Sequence, residues 1–146
     1  MAITTNAVCN VFKEDLFEGK ADFTVGTGDV FKLALYNNTA SIGADTTSYN
    51  VAITGQVGDT GQYVAGGGAL VNALVSVDAS VAFVDFNDLS FTGVTLTARG
   101  ALIYNTSNAN SAVAVLDFGA DKTATSGTFT IQFPAADSTN AILRIA

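Results

Sequence analysis

Thr128-Phe129-Thr130-Ile131-Gln132-Phe133 alternates without a break, with Phe129, Ile131 and Phe133 on one face and Thr128, Thr130 and Gln132 on the other. A period of two marks a strand with one face in a core and one in water. Val30-Phe31-Lys32-Leu33-Ala34-Leu35-Tyr36 repeats the pattern, placing Phe31, Leu33 and Leu35 on one side. Between these two lie further runs at Val81–Phe86, Val94–Tyr104 and Ala112–Phe118, and Ala141-Ile142-Leu143-Arg144-Ile145 follows as a last strand. Turn residues separate the runs: Asn37-Asn38, Gly58-Asp59, Gly66-Gly67-Gly68, Asn105 to Asn110 and Ser126-Gly127. About eight short strands with turn signals every 8–15 residues or so predict a sandwich or jelly roll. No helical segment lies between strands to make crossovers, so a parallel α/β fold is not supported.

One helix is expected, at the start. Val8, Val11, Phe12 and Leu16 fall at helical spacing, Thr5 or Asn6 can cap it, and Gly19 can stop it. Lys13, Glu14, Asp15 and Glu18 lie mostly off that stripe. A helix of about 12 residues is marginal alone, so it packs on its own sheet or on a neighbouring subunit. The expected fold is all-β, an antiparallel β-sandwich (jelly-roll or immunoglobulin-like) with one short N-terminal α-helix. Residues 1–146 form a single domain, with an N-terminal arm and helix over 1–19 and the sandwich over 28–146. The sequence shows no internal repeat and does not order the strands.

The 146 residues carry 13% charged side chains, about half the proportion usual in soluble domains, against 49% apolar ones. Mean hydropathy is +0.38. Disorder needs the opposite composition. Net charge is −7, and the six cations (Lys13, Lys20, Lys32, Arg99, Lys122 and Arg144) are scattered. No basic stripe exists to neutralise phosphates, so neither nucleic acid nor an anionic membrane is expected as a partner. Without His, Ser-His-Asp and Cys-His sites and imidazole-bound zinc are impossible. A lone Cys9 forms no internal disulfide and reads as a small packing residue. Met1-Ala2-Ile3-Thr4-Thr5-Asn6 lacks the character of a signal peptide, which predicts a soluble chain without an export signal. Thr60 to Val77 is uncharged for 18 residues, but four Gly, Gln62 and Asn72 make it buried sheet and Gly-rich loop rather than a membrane span.

Candidate chemistry is thin. Asp85-Phe86-Asn87-Asp88 could offer oxygens to Ca²⁺, but Asn and Asp at a strand end more simply bond their own backbone. Asp117 and Asp121 around Gly119 read the same way. Gly55-Gln56-Val57-Gly58-Asp59-Thr60-Gly61 and Gly66-Gly67-Gly68 lack the Lys-Ser or Lys-Thr and the following helix of a phosphate-binding loop. Paired carboxylates for glycoside hydrolysis find no Trp platform, and Tyr36, Tyr49, Tyr63 and Tyr104 read as half-buried strand residues. Lys32 is expected to reach the rim of its strand rather than to pair with or be cross-linked to a buried Asp. Asn37-Asn38-Thr39 and Asn105-Thr106-Ser107 match a glycosylation sequon without weight. Catalysis, cofactors and metals are not expected. Ala112-Val113-Ala114-Val115-Leu116 and Val81-Ala82-Phe83-Val84 are apolar on both faces, which predicts a second face covered by association.

Phe31-Lys32-Leu33-Ala34-Leu35-Tyr36, Tyr63-Val64-Ala65-Gly66-Gly67 and Ala82-Phe83-Val84-Asp85-Phe86 occur in that order. Thr97 to Asn105, Ala114 to Lys122, Phe129 to Pro134 and Ala141 to Ile145 follow. This series, covering most of residues 12–146, resembles a family of small virion structural proteins of tailed bacteriophages. The resemblance implies a non-enzymatic capsid decoration or cement protein on the virion exterior, assembled in the host cytoplasm. Its partners would be the major capsid protein and further copies of itself, a trimer suiting local threefold axes. The alternative is a tail or fibre protein that binds a receptor through polar loops. For a cement, roughly 1,000 Å² per site repeated over the lattice gives specific contact and avidity. Residues 1–19 could then act as an arm to a neighbour.

Overall fold

The computed structural model describes residues 3–146; Met1 and Ala2 of the expected arm lie outside the described residues. Its elements are β1 (Ala7–Val8), α1 (Asn10–Phe17), β2 (Phe31–Tyr36), β3 (Gly68–Ala69), β4 (Asn72–Asp78), β5 (Val81–Phe86), β6 (Leu89–Asn105), β7 (Ser111–Ile131) and β8 (Leu143–Ile145). They form two antiparallel sheets, in the orders β1-β7-β6-β2-β3 and β4-β5-β8. The fold is therefore all-β and sandwich-like, with one short helix.

One long hairpin dominates. β6 and β7 pair from Asn105↔Ser111 beside the turn to Leu89↔Ile131 at the far end. Ala112–Phe118 and Thr128–Phe133, expected as separate strands, fall at the two ends of the single strand β7, which stops at Ile131. Ser126-Gly127, expected as a turn between strands, is a bulge within it: the register shifts between Val94↔Gly127 and Leu96↔Ala124. A wider shift lets Arg99 alone oppose Phe118 to Asp121. Bulges add residues to one strand and bend it without ending the pairing. β2 lies beside β6, and Phe31, Leu33 and Leu35 point into the core as expected. Ala34 and Tyr36 on its other face are fully buried too.

Two expectations about coverage are corrected. Ala112, Val113, Ala114 and Val115 are all buried within the chain itself, with α1 packed on β7, so no partner is needed for them. Conversely, the Thr60–Val77 stretch is not buried sheet: in β4, Leu74, Val75 and Val77 are exposed.

The helix is shorter and later than its apolar spacing suggests. Val8 belongs to β1, where it pairs with Ala114, and Cys9 rather than Thr5 or Asn6 occupies the cap. The Cys9 backbone N–H donates to Val113 O at 2.9 Å, which joins helix start to sheet. Gly19, at φ +69°, ends the helix as expected. Its apolar side packs on its own sheet. Asp15, expected off the buried stripe, is 7% exposed. Its Oδ2 accepts from Ser111 Oγ at 2.6 Å and from Asn108 Nδ2 at 3.1 Å, so it ties α1 to the β6–β7 turn. Asp15→Ala leaves both donors without that partner and is expected to cost about 2–3 kcal/mol. Urea denaturation checks this, with Glu14→Ala next door expected to change stability by less than about 0.5 kcal/mol.

Five phenylalanines join the layers. Phe23 stacks on Phe31 at 4.4 Å and meets Phe12 of α1 edge-on at 5.9 Å. Phe86 of β5 lies 5.8 Å from Phe31 and 5.6 Å from Phe133. Helix, both sheets and the segment after β7 thus share one aromatic centre.

Candidate functional site

The polar candidates are dispersed into structural ties. Asp88 Oδ1 accepts from the Phe133 backbone N–H at 2.9 Å, and the Asn87 N–H donates to Val71 O at 3.0 Å. Asp85 keeps one buried carboxylate oxygen without a hydrogen-bond partner. Among the described residues no group of three His, Cys, Asp or Glu side chains gathers as a metal site would require. Asp117 Oδ1 takes Arg99 Nε at 3.3 Å and the Gly119 N–H at 2.9 Å, bracing the wide bulge. Asp121 instead accepts from Asn38 Nδ2 at 3.1 Å. The two carboxylates do separate work.

The tyrosines pack inward. Tyr63 Oη accepts from the Leu35 N–H at 2.8 Å, and Tyr104 Oη donates to Gly66 O at 2.6 Å. Tyr49 stacks on Tyr104 at 4.5 Å and donates to Gln56 Oε1. Burial pushes the phenols of Tyr63 and Tyr104 up to about 12, and that of Tyr36 higher still. Tyr36 is fully buried, and its hydroxyl has no partner. Tyr36→Phe is therefore expected to stabilise the fold by about 1 kcal/mol, whereas Tyr104→Phe, which breaks a bond, loses about 1 kcal/mol. Thermal melts of both variants check the opposite signs.

The remaining candidates are equally structural. Burial raises the Cys9 thiol to about 11, leaving it an inert packing group whose Sγ faces Gly43 O at 3.7 Å. Lys32 is half-buried; the ion pairs among the described residues are Lys20–Glu18 and Arg99–Asp117. Of the sequon asparagines, Asn37 Oδ1 closes a turn onto the Thr39 N–H, and Asn105 is buried, with Nδ2 on Asp29 Oδ2 at 2.7 Å.

What the surface does offer is an apolar groove of about 680 Å³ between α1 and the small sheet. Register builds its sheet wall: Val84 of β5 opposes both Val75 and Leu143, and Ala82 opposes both Val77 and Ile145. Val8, Phe12, Leu16 and Phe17 supply the other wall, with Phe23 also lining the groove. Phe17 is 95% exposed. Lys13 and Arg144 also line the groove, and among the described residues neither forms an ion pair; Lys13 donates to Asn10 Oδ1 and Arg144 to Ser138 O. A second hollow of about 500 Å³ adjoins it, where Phe23 and Val25 face Leu74 and Val75. The two-faced apolar run Val81-Ala82-Phe83-Val84 signals this surface in the sequence, since Ala82, Phe83 and Val84 line the groove, whereas its helix wall with the exposed Phe17 has no such reading.

No helix among the described residues is long and apolar enough to cross a membrane. Compared with known proteins, the chain matches no family model, no curated protein and no solved structure.

Proposed function

We propose that this chain is a non-enzymatic structural protein of a tailed-phage virion, a cement that docks on the capsid shell through β4. The ordered resemblance of its strands to small virion proteins supports this reading. The observation that carries it is β4 itself. This seven-residue edge strand shows Leu74, Val75 and Val77 to solvent, follows an exposed Val71, and bears charge only at Asp78. Edge strands that stay unpaired are ordinarily blunted by charge, Pro or cover. An apolar edge left open suits strand addition by a partner, in which main-chain hydrogen bonds give affinity and side-chain pockets give specificity. An acidic surface keeps unassembled copies soluble.

Co-sedimentation of the purified protein with mature heads of the encoding phage, and separately with its tails and host cells, tests the proposal. Saturable binding to heads at a fixed ratio to the capsid protein, lost in Leu74→Lys with far-UV circular dichroism unchanged, is the expected result. Binding only to tails or cells replaces cement by the receptor-binding role, and binding to none of the three overturns both.

A further inference from the structure

We infer that two copies of this chain associate across a twofold axis by exchanging Phe17, each ring entering the groove of the other copy. The inference does not rest on head binding, for which it leaves Leu74 and the main-chain edge of β4 open. A twofold contact is self-complementary, so the projecting group and its receptor must sit on one patch. They do: Phe17 is almost wholly exposed and forms the edge of the very groove whose walls are apolar. A twofold axis beside the end of α1 lays each ring across the opposite sheet wall, against Val75 and Ile145, with Val77 continuing that face beside Ala82, all three more than half exposed.

Charge complementarity favours a second copy over another occupant. With a net charge of −7, two chains repel at long range. At this patch the signs complement one another: Glu14 precedes Phe17 on α1 without an ion pair among the described residues, Glu18 at the helix end is held by Lys20, and Lys13 and Arg144 line the groove without ion pairs among the described residues. Exchange of the rings carries each acidic helix end toward the partner's Lys13 and Arg144. Covering Phe17, Val75, Val77, Ile145 and their surround removes on the order of 600 Å² per copy, about 1,200 Å² in all. That is the lower bound for a specific interface, so the dimer is concentration-dependent rather than obligate. This contact gives a pair, not the trimer that the capsid resemblance implies.

Sedimentation equilibrium of the full chain over a concentration series tests the inference, with circular dichroism confirming that each variant is folded. The wild type is expected to follow a monomer–dimer equilibrium. Phe17→Ser should weaken it at least about thirtyfold, as an aromatic anchor does. Lys13→Glu alone should weaken it about tenfold, and adding Glu14→Lys in the same chain should restore it, because each reversed charge then meets its reversed partner. A wild type that stays monomeric overturns the inference, as does a dimer indifferent to Phe17→Ser. A monomer whose Phe17 environment shifts on adding oleate also overturns it, by assigning the groove to an anionic amphiphile.

Discussion

Gly67→Ala is expected to lower stability by about 3–5 kcal/mol, enough to leave a domain of ordinary stability largely unfolded. Gly67 sits at φ +83°, a conformation that L side chains rarely adopt. A Cβ built there overlaps the Leu33 carbonyl oxygen and lies 2.8 Å from the Ala34 Cα. Both atoms belong to the backbone of β2, which is held between β3 and β6 at Leu33↔Gly68 and Leu33↔Ile103, so neither can rotate away. The turn would have to lift, and with it the Gly67 N–H bond to Val64 O and the Tyr104 bond to Gly66 O. Gly58→Ala is the control: its added Cβ meets nothing within 4 Å, and a change within about 0.5 kcal/mol is expected. Urea denaturation of the two variants reads the difference. A Gly67→Ala protein within about 1 kcal/mol of wild type would mean that the β2–Gly67 approach is not fixed.

How much was legible in the sequence depended on where each rule of local chemistry had a single meaning. Strict alternation did, so Phe129 and Ile131 face inward, and so do Phe31, Leu33 and Leu35. Asn105 to Asn110 did as well, and the long hairpin turns there. Positive φ did not. Ser126 adopts φ +46° inside a strand, where its bulge borrows the chemistry of a turn. The β4–β5 hairpin is the converse case: its tip is Ala79-Ser80, at φ +48° and +71°, with neither Gly nor Asn to announce it. β4 was therefore read together with the glycine-rich stretch before it. Apolar content alone also failed to say who covers whom. Ala112–Val115 and Val81–Val84 are both apolar on both faces, yet α1 packs beside the first while Ala82 and Val84 of the second line an open groove. Asp15 is buried because its partners, Ser111 and Asn108, lie more than 90 positions away. The groove follows from the register of three strands and the placement of one helix, none of which is a local property.

That surface and the buried polar groups meet in the behaviour expected at high pH. The protein should unfold cooperatively between about pH 10 and 12, with tyrosine ionisation and loss of strand signal tracking each other. Burial raises Tyr63 and Tyr104 to about 12 from a usual value of 10.0, raises Tyr36 further, and raises Cys9 to about 11 from 9.0. Each group is neutral when protonated, so above pH 9 to 10 the unfolded chain sheds protons that the folded chain retains. Stability then falls as pH rises; it is present in full below the unfolded values and is lost as pH climbs through the folded ones. Several groups titrating in the same window make the decline steep. A pH titration followed by tyrosinate absorbance and far-UV circular dichroism is the measurement. Gradual ionisation of Tyr36, Tyr63 and Tyr104 near pH 10 with the strand signal intact would show that their hydroxyls reach water in the native state. Tyr36→Phe separates the causes, because it removes the most strongly raised phenol without breaking a hydrogen bond. Its alkaline transition should move to higher pH by more than its added stability at neutral pH accounts for, whereas a purely electrostatic failure of this acidic chain would shift the transition only by that stability.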